Sequence, residues 1–574
     1  MSNTTQKTST KMFVNGVLIL TISNIIVKAI GLLFKIPLHS ILGDDGMGYF
    51  NAAYTIYTTF FMISTAGLPV AISYMVSSSR AAGNFNQVKK IMRIAFTTFF
   101  IIGLVGTCAL FFGADFFATT VSEIPESKYC IMAIAPTLFF VCLTSSFRGY
   151  FQGHQVMWPT AVSQLLESLG KLIIGILLAK WSIANGDPLE VTAAWTIFGL
   201  TIGVLCGMGF IWITKLLYNT QKINAEYALE NGDSLEVRST KSLLKELVVM
   251  AIPVTLSSSV MSIANLIDLT VISRQLQSIG FTTKGAAALY GNYTTLAVPM
   301  FNLIPVLVYP IGYSLVPMIS ALKVRKEEKE ANRVMTSSLK TAAIMSMPCT
   351  VGMAVLAEPI LSLIYGKASL LTKYQTESSE LLNDAMFMSY IDEGTSSASL
   401  AAPLLSILAI SSFLVCMLAI TNSILQANKR PYLPLISMLV GATAKIFASF
   451  ILIGNPNIGI YGAPLSTGIC YIIVVICNFF FCAKYAKFRP SVRKVFVKPL
   501  IASALCGVGA VGSYALLDKL IGYSRINAIL AIGVAAVVYL AAVLLLGALE
   551  KDDFEFIPMG RKLYSVLGKL HLVK

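Results

Sequence analysis

Residues 14–38 read VNGVLILTISNIIVKAIGLLFKIPL, twenty-five positions broken only by two lysines, Lys28 and Lys35. A hydrocarbon core is crossed by about 20 apolar residues of helix, so this stretch is long enough to span, and it carries charge at the depth where charge is most costly. Seven residues separate the lysines, close to two helical turns, and Asn24 and Gly31 fall on the same stripe. The segment predicts a crossing helix with one polar face. Lys7 and Lys11 precede it and no short apolar core with a small-residue cleavage site follows, so it is read as an uncleaved first span.

The rest of the chain repeats the pattern. Of 574 residues 56% are hydrophobic and 12% charged, about half the charge of an ordinary soluble protein. Further spans are expected near 50–77, 91–112, 130–147, 159–180, 191–217, 247–273, 291–320, 338–361, 401–424, 434–453, 458–482, 497–517 and 525–549. The fold class predicted is an all-α polytopic membrane protein with 14 transmembrane helices. The formal net charge of +15 would suggest nucleic acid in a soluble chain; here it follows the cytoplasmic excess of basic residues, and no nucleic acid is expected. With the N-terminus inside, the connections holding Lys89, Lys90, Arg93, Lys323 to Lys340 and Lys484 to Lys498 are cytoplasmic, as is the C-terminal tail. Asp44, Asp45 and an acidic loop over 365–400 then lie outside. The ten cysteines sit in or beside apolar runs and the three histidines are scattered, so neither a metal nor a cofactor is expected.

A faint repeat relates the fifth span to the eleventh: at one offset Gln152 meets Gln426, Ser163 meets Ser437 and Lys171 meets Lys445. Pro69 and Ser73 likewise meet Pro310 and Ser314 across spans two and eight. Six helices separate each pair, so the halves share one orientation, as in transporters with parallel repeats. The expected organisation is an N-lobe at 1–217, a cytoplasmic linker at 218–246, a C-lobe at 247–482, and at 483–574 two further helices and a tail.

A Lys, Asp or Glu in mid-span costs at least about 2.5–3.5 kcal/mol and calls for a partner or a wet cavity. Lys28, Lys35, Lys171 and Lys445 stand there against Glu167 and Asp268. Glu167 and Lys171 form an i, i+4 pair in the favourable order, readable as a structural pair or as part of a binding surface. Ser258, Ser262, Asn265 and Asp268 line span seven, and Ser437, Gly441, Lys445 and Ser449 recur every fourth residue along span eleven. Arg148 closes the fourth span in Arg148-Gly149-Tyr150-Phe151-Gln152-Gly153, where an arginine is ordinary at a helix end and also within reach of a cavity. The excess of cations favours an anion such as a phosphate or diphosphate headgroup. Asp268 with Lys445 is readable as a structural lock or as a coupling site.

Several of these segments together resemble a known family: Lys28-Ala29-Ile30-Gly31, Lys35-Ile36-Pro37-Leu38, the Gly43 to Gly48 turn, Ala66 to Ser73, and Arg148 to Gly153 followed by Pro159 to Gln164. They resemble the stage V sporulation protein B group of polysaccharide transporters, which is similar to the MurJ lipid II flippases of the multidrug/oligosaccharidyl-lipid/polysaccharide exporter superfamily. The resemblance implies two six-helix lobes of MATE/MurJ type plus two C-terminal helices in a bacterial cytoplasmic membrane. It further implies outward flipping, by alternating access, of an undecaprenyl-diphosphate-linked cell-wall precursor, lipid II or a related lipid-linked oligosaccharide. Lys28 falls where MurJ-type proteins carry a cavity arginine, and Lys35 one residue past another. Asn24, Lys28, Lys35, Arg148, Glu167 and Lys171 are therefore the candidate cavity residues. Asp268 matches a sodium-binding aspartate of such proteins, with Ser449 and Thr467 in the segments that supply oxygen ligands. Lys445 occupies the place of a neutral ligand, so an Asp268–Lys445 charge pair is expected instead. A flippase of teichoic or capsular units and a drug exporter of the same superfamily are the alternatives, beside a membrane enzyme or a scaffold. Cell-wall synthases are candidate partners, and a monomer is expected. No phosphate-loop motif is present, so ATP hydrolysis by this chain is not expected.

Overall fold

The computed structural model describes the chain apart from residues 1, 155, 218–235, 325, 372–374, 376–379, 429, 431, 492, 523–524 and 548–574. Most of the expected linker and the C-terminal tail thus lie outside the described residues. Among those described the chain is helical throughout, with one isolated bridge between Ser369 and Ser396. Eleven helices are long and apolar enough to cross a membrane, or twelve if the bent pair Glu328–Val355 and Ala357–Tyr365 is one span. Large apolar side chains such as Phe112, Trp212, Phe447 and Val508 lie exposed along them, as a lipid-facing surface requires. This is a multi-pass membrane protein.

The chain separates into two compact units, Met1–Arg274 and Gln275–Lys574. In the first, helix α1 (Ser2–Thr65) is broken at Gly43, whose φ of 68° and ψ of −171° lie outside helical space. A straight helix would put Phe34 and Phe50 about 24 Å apart, yet their rings are 6.0 Å apart. The arms of α1 therefore fold back on each other at an acute angle, which keeps apart the two runs read at 14–38 and 50–77. Across the break His39 Nε2 lies 2.9 Å from Asp44 Oδ1. Asp44, expected as a solvated acid of an outside loop, is buried here, because the bend places it against the histidine. The second arm also stops sooner than the run at 50–77 predicts: a bend at Ala66-Gly67 precedes α2 (Leu68–Ala81), which starts with proline in its first turn.

Helices α3 (Phe85–Phe112), α4 (Lys128–Gly153), α5 (Trp158–Ala184) and α6 (Leu189–Leu217) complete the bundle, with α7 (Thr240–Ser278) running to the unit's edge. The core lies around α4, which packs on α1, α2, α3 and α6 and is buried almost continuously from Val141 to Phe151. Between α5 and α6 runs a seam of glycines. A Cβ on Gly199 would lie 2.4 Å from Gly175 Cα, one on Gly203 2.6 Å from the Glu167 carbonyl, and one on Gly207 2.8 Å from the Ser163 carbonyl. Small residues let membrane helices approach this closely where no hydrophobic force drives them together.

The second unit holds α8 (Thr283–Asn292), α9 (Leu303–Val324), α10 (Glu328–Val355), α11 (Ala357–Tyr365), α12 (Ser397–Ala427), α13 (Leu433–Ile453), α14 (Gly462–Tyr485), α15 (Lys498–Ile521) and α16 (Arg525–Leu545). Its central helix is α12, packed on α9, α10, α11 and α14. The last two helices pack on each other and on α10 and α11. Of the acidic segment between α11 and α12, the described part around Asp384 and Tyr390 is anchored. Asp384 Oδ2 accepts from the Thr282 backbone N–H at 2.8 Å and from its hydroxyl at 2.7 Å, at the start of α8, and Tyr390 packs on Phe281 and Tyr461.

Candidate functional site

The expected cavity residues of the first unit come from α1, α4 and α5. On α5, Ser163, Glu167 and Lys171 succeed each other at four-residue spacing and share one face. The structure does not form the i, i+4 pair of Glu167 with Lys171. Glu167 Oε2 instead accepts from Arg148 Nη2 at 2.6 Å, and Arg148 Nε donates to Ser163 Oγ at 3.0 Å. Both charged side chains are largely buried, 10% and 17% exposed. A guanidinium fork can hold a carboxylate and a hydroxyl together, whereas an ammonium is a single point of charge, and Arg148 on α4 faces both acceptors. The arginine that was ordinary at a helix end in sequence is thus a buried, paired group. The backbones carrying the pair are held by glycines: Gly149 and Gly153 let α4 lie against Pro69, Ile72 and Val76 of α2, and the seam of α6 abuts the Ser163 and Glu167 carbonyls.

Freed from Glu167, Lys171 turns to α1. Its Nζ lies 4.4 Å from the Tyr54 ring centre, 5.0 Å from Phe34 and 5.8 Å from Phe50, close enough for cation–π attraction. One turn along α5, Gly175 leaves room for the Phe34 ring, which a Cβ there would approach to 3.2 Å. The rings continue along α1 as Phe50, Tyr54, Tyr57 and Phe61 at centroid spacings of 6.0–6.2 Å. Lys35 is half-buried and close enough to Lys171 for the two to act on each other as like charges. Asn24 and Lys28 are exposed on the same arm, and a Cβ on Gly31 would meet nothing within 4 Å.

Reading the cavity by its charges missed these rings. The signal was present: Phe50, Tyr54, Tyr57 and Phe61 recur at helical spacing on one face. Nothing in the linear sequence showed that a reversal at Gly43 would add Phe34 from the other arm.

The coupling candidates belong to different units. Asp268 is half-buried on α7 in the first. Along the same helix Ser262 is buried, its carbonyl accepting from the Thr59 hydroxyl at 3.0 Å, Asn265 is exposed, and the side chain of Ser258 lies outside the described residues. Lys445 is buried on α13 in the second unit with Ser437, Gly441 and Ser449, the face that the four-residue spacing predicted. Gly441 lets α14 approach, since a Cβ there would lie 2.3 Å from Val474 Cγ2. Ser449 Oγ donates to Ser466 Oγ at 2.8 Å and Thr467 Oγ1 to the Ala463 carbonyl at 3.0 Å. No group of three or more His, Cys, Asp or Glu side chains gathers among the described residues.

The profile of the family described as polysaccharide biosynthesis protein matches residues 13–323, over half the chain and all of the α1–α4–α5 cluster. The chain belongs to this family. Stage V sporulation protein B of Bacillus subtilis (strain 168) is 23% identical over 555 residues, covering 95% of this chain and 98% of the relative. The lipid II flippase MurJ of the same organism is 25% identical over 555 residues, covering 93% and 96%. Among solved structures, a lipid II flippase MurJ in an inward closed conformation superposes with a TM-score of 0.65 at 15% identity, over 92% of this chain and 98% of that one. An inward-facing MATE multidrug transporter of the MOP superfamily does so at 0.60 and 12%, over 79% and 93%. The fold is that of the MurJ and MATE proteins.

Proposed function

We propose that this protein is a flippase, not an enzyme, moving an undecaprenyl-diphosphate-linked cell-wall precursor from the cytoplasmic to the outer leaflet by alternating access. The observation that carries the reading is the state of Lys171. Its ammonium meets three aromatic rings and no carboxylate, because the nearest acid on its own helix is engaged by Arg148. With Lys35 beside it, the site offers positive charge that an incoming diphosphate would neutralise, whereas a cationic drug would meet repulsion. The resemblance in sequence to a lipid II flippase over almost the whole chain supports the same substrate class. A headgroup carrying about two negative charges gains roughly 4–5 kcal/mol on moving outward through 100 mV, inside negative, so the membrane potential suffices as a driving force.

Depletion of the protein is expected to accumulate lipid-linked precursor on the cytoplasmic leaflet, and complementation with Lys171→Gln or Lys28→Gln is expected to fail at normal membrane levels, with Lys28→Arg partly active. Normal flipping by both glutamine variants overturns the headgroup site. Both termini are proposed to be cytoplasmic and the 365–400 segment outside; cysteine labelling of that segment and of the 218–246 linker from the same side of the membrane refutes the orientation.

A further inference from the structure

Away from the Arg148–Glu167 pair, α4 shows another face, carrying Leu143, Phe147 and Tyr150, to a cavity of about 480 Å³ between α3 and α6. Three cations converge on it: Lys89 and Arg93, one turn apart on α3, and Lys215 on α6. No acidic residue lines it, and none of the three forms an ion pair with a carboxylate among the described residues. Lys215 Nζ instead lies 5.0 Å and 5.5 Å from the Phe147 and Tyr150 ring centres.

The arrangement is graded along the helices. Lys89 lies in the second turn of α3 and Lys215 in the last turn of α6, at the ends of helices long enough to span a bilayer. Further from those helix ends the walls are Phe96 of α3, Leu143 of α4 and Met208 of α6, and the side chains of Phe96 and Trp212 are partly exposed. Cations at a mouth with an apolar slot beneath match one class of molecule, a phosphate at the water boundary with acyl chains below it. We propose that this groove binds an anionic glycerophospholipid of the surrounding bilayer, its phosphate held by Lys89, Arg93 and Lys215 and a chain lying against Phe96 and Phe147. It is separate from the transport site, and the inference does not depend on which substrate the protein moves. Occupancy bears on Phe147 and Tyr150, the neighbours of Arg148 on α4, so the bound lipid braces the helix that carries the ion pair.

The test is native mass spectrometry of the full chain in detergent with phosphatidylglycerol, with phosphatidylcholine of the same acyl chains, with inorganic phosphate and with undecaprenyl diphosphate. One phosphatidylglycerol per chain is expected to be retained in strong preference to phosphatidylcholine. Each basic residue near a headgroup is worth about fivefold in affinity, so the triple variant Lys89→Gln, Arg93→Gln, Lys215→Gln should weaken retention about 100-fold, while Lys89→Arg with Lys215→Arg keeps it. If the triple variant does not fold, a steep loss of phosphatidylglycerol from the unmodified protein on raising salt serves the same purpose. Equal retention of the two phospholipids, retention unaffected by both the triple variant and salt, or competition by inorganic phosphate alone overturns the proposal. Displacement by undecaprenyl diphosphate alone also overturns it, by assigning the groove to the transport path.

Discussion

Consider removing the Arg148–Glu167 pair one side at a time. Two unit charges at 2.6 Å attract by about 6 kcal/mol at an effective dielectric of 20, and taking each ion out of water costs several kcal/mol, so the pair nets little against an apolar replacement. The singles differ. Glu167→Gln leaves a guanidinium, 10% exposed, without its carboxylate, and Arg148→Met leaves a carboxylate with no cation beside it. Breaking a buried pair from one side costs about 3–5 kcal/mol, and the residual exposure here points to the lower end, about 3 kcal/mol each. The double variant should lie within about 1–2 kcal/mol of the parent, which requires a coupling energy of about 4–5 kcal/mol. Reversible unfolding in mixed micelles across this double-mutant cycle measures it. Additive losses, or a double variant worse than either single, would refute the account of the site as a compensated pair that frees Lys171.

Gly203→Val should destabilise strongly, because the Cβ meets the Glu167 carbonyl at 2.6 Å, while Gly31→Ala, with open space around it, should be silent in the same thermal assay. His154 lies just past the end of α4, and burial, together with the nearby Arg80 charge, pulls its imidazole below the usual range. A depressed histidine favours the fold above the unfolded pKa near 6.5 and loses that contribution as pH falls below it. Thermal stability should therefore drop between pH 7 and 5, and His154→Gln should flatten the drop; an unchanged profile rejects the assignment.

How far the sequence reached is clearest at particular residues. The stripe of Ser437, Gly441, Lys445 and Ser449 was legible because burial on one helix face follows from spacing alone. Arg148 was not, because its partner depends on which face of α4 meets α5, and that is set by the close approaches of Gly149 and Gly153 to α2 and of the α6 glycines to α5. The buried Asp44 and the anchored Asp384 were hidden because an acid in a connection reads as solvated until a tertiary partner, His39 or Thr282, is found.

The reversal at Gly43 also sets an order of assembly. A helical hairpin is a natural unit of insertion, and this one carries Phe34, Phe50 and Tyr54 into the bilayer together. At the usual elongation rate of about 5–20 residues per second, the ribosome reaches Lys171 on the order of ten seconds after Tyr54. During that interval the rings face each other without the lysine that later sits between them. The rings that meet the ammonium are thus all synthesised well before it, and α5 brings the cation to an aromatic face that α1 alone supplies.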